Sequence, residues 1–127
     1  MILFLLIFST VTLCFELRRL FDLNIVWASI GTTLLGYVIC SLFFKESLEV
    51  YSSAIYGASF IGMTNLRVNI AAFSFLSSIL FWVIFIKLLY FFPSVGGGLG
   101  FSAFISVVLS IGVLKLSSLT LIKIRGT

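Results

Sequence analysis

The chain has no histidine, one proline, two cysteines and four acidic residues among 127 positions. Each shortage removes a class of chemistry. Without histidine the commonest general base and the commonest transition-metal ligand are both missing, so hydrolytic and metal-dependent catalysis have few groups to use. Cys14 and Cys40 lie in apolar runs without CxxC or Cys/His spacing, and they read as small apolar fillers. The residues present predict no enzyme, no cofactor and no metal site.

What the chain does have is apolar surface: 61% of its residues are hydrophobic, 9% are charged, and its mean hydropathy is +1.31. A soluble domain carries about 25% charged residues, so lipid is the expected solvent. The net charge of +4 comes from residues placed mostly between apolar runs, and most of the aromatics are phenylalanines inside those runs. That arrangement does not suit nucleic acid, which needs a solvated basic face with stacking rings.

A bilayer core of about 30 Å takes about 20 apolar residues as a helix. The expected fold is an all-α integral membrane protein, one polytopic bundle over 1–127 with spans at about 1–20, 23–44, 50–66, 68–92 and 101–122. Three are unambiguous: Leu23 to Phe44, Val68 to Phe92, and Phe101 to Ile122. The first, "MILFLLIFSTVTLCF", has no basic residue before its apolar run and no A-x-A cleavage site, so it reads as a retained anchor rather than a signal peptide. The "VTLC" ending only faintly suggests a lipoprotein cleavage box.

The segment at 50–66, "VYSSAIYGASFIGMTNL", is short and rich in Ser, Gly and Ala, and the span count drops to four if it re-enters. Lys and Arg in short loops mark the cytoplasmic side and arbitrate. If the segment crosses, Arg18, Arg19, Arg67, Lys123 and Arg125 share one side and only Lys45 takes the other. If it does not, the separation falls to Arg18 and Arg19 against Lys45, Arg67, Lys123 and Arg125. Five spans follow, with the N-terminus outside and the C-terminus in the cytoplasm. The unbalanced loop charge also disfavours an inverted dimer partner.

Small residues four apart let helices approach closely in lipid. The second segment has such a row in Ala28, Thr32, Gly36 and Cys40, and the third has Ala54, Ala58 and Gly62. Only Lys45 to Glu49 join these segments, so the two small faces are expected to pack antiparallel. The third, poorly rewarded by lipid, is expected at the centre, either as plain packing or with Ser52, Ser53, Gly57, Ser59, Thr64 and Asn65 lining a narrow path.

On the last segment Ser102, Ser106, Ser110, Ser117 and Thr120 fall within about an 80° arc at about 100° per residue. Two readings stand. Each hydroxyl can return to the carbonyl one turn back, or the stripe can line a path for water, a proton, an ion or a small polar solute. Lys115, opposite the stripe, and Lys87, near Tyr90, have stems long enough to reach an interface. In "FELRRLFD", Arg18 and Arg19 form an interfacial stop tempered by Glu16 and Asp22, with lipid headgroups as the natural contact.

"FFPSVGGGLGFSAF" lacks the Lys-Ser/Thr of a phosphate loop and the pore helix of a selectivity filter. It reads as a helix stop at Pro93 followed by a flexible hinge loop at Gly96, Gly97, Gly98 and Gly100, able to admit a close helix or act as an outer gate. The "YGA" of the third segment loosely resembles the Tyr-Val-Gly-Ala run in a five-helix small subunit of proton-pumping NADH dehydrogenases, one residue short. Nothing else in the chain matches that family well, and membership is not inferred.

No carboxylate lies within the apolar part of a predicted span, since Glu16 sits at the charged end of the first and Asp22, Glu46 and Glu49 fall in connections. Ion-coupled carriers usually keep an acid in the membrane, which leaves a passive path or a supporting subunit. The expected function is a transporter or channel component in an oligomer; the alternative is a noncatalytic accessory subunit of a respiratory or secretion-type complex. The expected partners are membrane lipids and either further copies of the chain or other membrane subunits. The expected location is a bacterial or organellar inner membrane.

Overall fold

The computed structural model describes residues 1–22, 24–64, 69–91 and 96–125, with side chains for 1–22, 24–64, 69–90 and 98–118. These residues form five α-helices and no strand: α1 (Ile2–Phe21), α2 (Ile25–Phe43), α3 (Leu48–Gly62), α4 (Ile70–Phe91) and α5 (Gly96–Arg125), with a 3-10 turn at Lys45–Ser47. Three stretches are long and apolar enough to cross a membrane: Ile25–Phe43, Ile70–Tyr90 and Gly98–Ser118. The other two helices fall short of that measure. α1 carries Glu16, Arg18 and Arg19 in its last turns, and α3 has 15 residues, about 22 Å of helix.

Local chemistry sets several boundaries. α1 stops at Asp22, which takes a left-handed conformation (φ 49°, ψ 34°) that a short polar side chain tolerates better than most. α4 starts after Asn69, whose Oδ1 accepts hydrogen bonds from the amides of Ala71 (3.1 Å) and Ala72 (3.5 Å). Between α2 and α3 the chain turns in the 3-10 segment, and the rings of Phe44 and Tyr51 close over it with centroids 4.8 Å apart.

Among the described residues α3 alone touches all four other helices. Seven of its 15 residues are buried, against four of the 19 in α2. α3 is therefore central and α2 peripheral, as the poor hydrophobicity of the third segment suggested. The core joins Ile7, Val11 and Phe15 of α1, Ala54, Ala58 and Ile61 of α3, Phe73, Phe81 and Phe85 of α4, and Ala103 of α5. Outside it, α2 exposes Val26, Trp27, Leu34, Leu35, Val38, Leu42 and Phe43. A polar-poor exterior of this kind suits lipid and would burden a water-soluble chain.

Two expectations need correction. The glycines at 96, 97, 98 and 100 are not a flexible hinge, because they lie within the first turns of α5. The reason is tertiary: a Cβ at Gly98 would stand 2.5 Å from Leu88 Cδ2, so the missing side chain lets α5 close against α4. The gain from that approach outweighs the poor helix propensity of glycine. Pro93 lies outside the described residues.

The second correction concerns the small faces of α2 and α3, which do not simply pack against each other. On α2, Ala28, Thr32 and Cys40 are buried and Gly36 receives Ile55, whose Cγ2 would be 2.7 Å from an added Cβ. The α3 row of Ala54, Ala58 and Gly62 is buried too, but Gly62 meets Cys14 of α1, with Cβ and Sγ at 2.6 and 2.7 Å from an added Cβ. Helix α1, which the expectation had left aside, also packs closely against α3.

Candidate functional site

Among the described residues the polar groups of the bundle interior are hydroxyls rather than charges: Thr10, Ser29, Thr32, Ser59, Ser74, Ser77, Ser78, Ser102, Ser106 and Ser110. Six belong to α4 and α5, two helices in extensive contact, and all six have no exposed surface. The row Gly98, Ser102, Ser106, Ser110 steps by four residues, and its first member is the one that admits Leu88. Small side chains at this spacing permit the close approach of α5.

Most of these hydroxyls are already engaged with their own helix. Ser102 donates to the Leu99 carbonyl at 2.9 Å, Ser106 to Ala103 at 2.7 Å and Ser110 to Ser106 at 2.6 Å. Ser77 donates to the Phe73 carbonyl at 2.7 Å. Each keeps lone pairs free to accept. Ser74 and Ser78 differ: neither hydroxyl has a hydrogen-bond partner among the described residues.

Other predicted path residues are not gathered along this seam. Gly57 is buried and faces the ring of Phe81, which occupies the place a side chain would take. Ser53 is half-buried on α3, and Thr64 donates to the Ile61 carbonyl at 2.8 Å. Thr64 also borders a cleft of about 370 Å³ with Phe60, Gly100, Ala103, Phe104 and Val107. Ser117 is exposed and donates to Leu114 at 2.8 Å. Asn65 and the side chain of Thr120 lie outside the described residues. Lys87 and Lys115 are exposed, Lys115 away from the buried serines.

Arg18 takes a role that the charge cluster alone did not reveal. Its Nη1 donates to the carbonyls of Gly62 and Thr64, both at 3.2 Å, and its guanidinium stands 5.9 Å from the centroid of Phe15. Terminal carbonyls of a helix have no partner in their own helix and carry its negative end, so a cation there is doubly favourable. Arg19, its neighbour, is exposed.

The serines of α4 were not singled out from the sequence. The signal was available in "SFLSSIL", three hydroxyls interrupting one of the most apolar runs in the chain. Among the described residues no three His, Cys, Asp or Glu side chains come together as metal ligands would. The chain matches no family model, no curated protein and no solved structure.

Proposed function

We propose that this chain is a small membrane protein whose five helices all cross the bilayer, N-terminus outside and C-terminus in the cytoplasm, and that it acts as a transport or channel component within an oligomer. The observation that carries the reading is the set of six serines without exposed surface on α4 and α5, two helices in contact whose outer faces are apolar. Hydroxyls replace hydration without fixing a charge, which suits water, a proton, an ion or a small polar solute moving passively. α3 is short for a span, but seven of its 15 residues are buried and it touches all four other helices, so it depends less on lipid than they do.

Reconstitution into liposomes tests this. The oligomer should make them permeable to small polar solutes, and Ser106→Ala with Ser110→Ala should cut the flux severalfold; unchanged flux removes the hydroxyl path. Topology has a separate test: cysteines introduced at Lys45 and Arg67, in a background lacking Cys14 and Cys40, should label from opposite faces. Labelling from one face removes the five-span arrangement.

The second reading, a noncatalytic subunit that anchors a larger membrane assembly, is favoured by the hydroxyls of Ser77, Ser102, Ser106 and Ser110. All four already donate within their own helices, as packing surfaces do. Purification in mild detergent separates the two. A self-associated chain supports transport; isolation only with other membrane subunits supports the anchoring role.

A further inference from the structure

We infer that Ser74 and Ser78 of α4 form a buried hydration site that holds a water molecule inside the bundle. The two side chains have no exposed surface, and neither Oγ has a partner among the described residues. Ser77, between them, donates to the carbonyl of Phe73 one turn back, so α4 offers this local acceptor. Ser74 and Ser78 do not use theirs. A buried hydroxyl left unpaired is costly, and a buried water is the commonest remedy where no protein group is near.

The direction of the two side chains follows from the helix. At about 100° per residue, Ser74, Ser78, Phe81 and Phe85 fall within an arc of about 60°. Phe81 and Phe85 belong to the core shared with α1, α3 and α5, so the serine hydroxyls face the bundle interior rather than lipid. That core includes the small side chains Ala54, Ala58 and Ala103.

Spacing selects the ligand. Residues four apart on a helix hold their Cβ atoms about 5–6 Å from each other. An oxygen that makes two hydrogen bonds of about 2.8 Å fits that gap, and water can accept from one serine and donate to the other. Its remaining donor can reach a lone pair left by a hydroxyl that has already donated, and two to four partners are the usual complement of a buried water. Two hydroxyl oxygens are far fewer than the six or so that replace the hydration shell of a cation, so the pair suits a water better than a bare ion. The inference does not depend on the transport reading, because a water here stabilises an idle bundle as well as a conducting one.

Water-edited solid-state NMR on the full-length protein in liposomes tests it directly and needs no variant. Magnetisation should pass from water to the Cβ of Ser74 and Ser78 faster than to the Cβ of Phe81 and Ala58, buried at the same core. A thermodynamic cycle provides the second arm. Ser74→Ala and Ser78→Ala should each lower the unfolding temperature, while the double variant should fall no further than the worse single one, because either change already breaks the bridge. Absence of fast transfer at these serines overturns the site, as does a cycle in which the two effects add or in which either alanine raises the unfolding temperature. Flux through the Ser106→Ala, Ser110→Ala variant is independent of both arms, so the two readings fail separately.

Discussion

Removing the Arg18 guanidinium should release the end of α3, and the size of the loss can be worked from the contacts. One nitrogen serves the carbonyls of Gly62 and Thr64 at 3.2 Å each, at the long end of the range, so the pair counts as one shared bond. A hydrogen bond involving a charged group contributes about 1.5–3 kcal/mol. The cation at the helix C-terminus adds about 0.3–1 kcal/mol, and its position near Phe15 about 0.5 kcal/mol at a half-exposed site.

These contributions overlap, and Arg18→Ala should therefore cost about 2 kcal/mol of unfolding free energy, within the spread expected when one donor is removed. Arg18→Lys keeps the charge and loses the fork, and it should recover about half of that. The assay is reversible unfolding in mixed micelles followed by circular dichroism, with amide exchange read over residues 59–64 to localise the effect. Arg19→Ala supplies the control: its side chain is exposed, and the change should stay within about 0.5 kcal/mol of wild type. If Arg18→Ala also stays within that margin, or Arg19→Ala costs as much, the capping argument is wrong.

Three glycine and cap substitutions extend the test in the same assay. Gly62→Ala should destabilise by about 1–3 kcal/mol, because the new methyl meets the Cβ of Cys14, which is fixed to its backbone and cannot swing aside. Gly31→Ala should be neutral or stabilising by up to about 1 kcal/mol, since nothing lies within 4 Å of the added atom and alanine is the better helix former. Equal effects at the two positions would refute the packing account. Asn69→Ala should cost about 1 kcal/mol through the lost bonds to the amides of Ala71 and Ala72, with increased exchange confined to the first turn of α4.

The elements that the sequence announced are those set by local composition and solvent. α2, α4 and α5 appear as long apolar runs, and the small, hydroxyl-rich third segment is central because lipid would reward it least. What escaped were contacts between residues distant in sequence. Arg18 acts on carbonyls 44 and 46 positions away, and no periodicity within α1 points to them. Cys14 read as a filler, yet it is the residue for which the missing side chain of Gly62 makes room. Gly98 misled for a related reason: glycine signals a turn only while nothing packs against it, and here Leu88 does. The serine row of α5 was legible by its arc. Its engagement with the α5 backbone at Ser102, Ser106 and Ser110 was one of the two options that spacing leaves open.

The bond from Arg18 to the end of α3 also imposes an order on biogenesis. α1 leaves the ribosome before α3, so the donor that completes α3 is already present when the acceptors are made. α3 is the shortest of the five helices among the described residues, and it depends on earlier neighbours to satisfy its last carbonyls. The end of this short helix is thus completed by a segment synthesised before it, and a chain lacking α1 should leave that end uncapped even when every residue of α3 is unchanged.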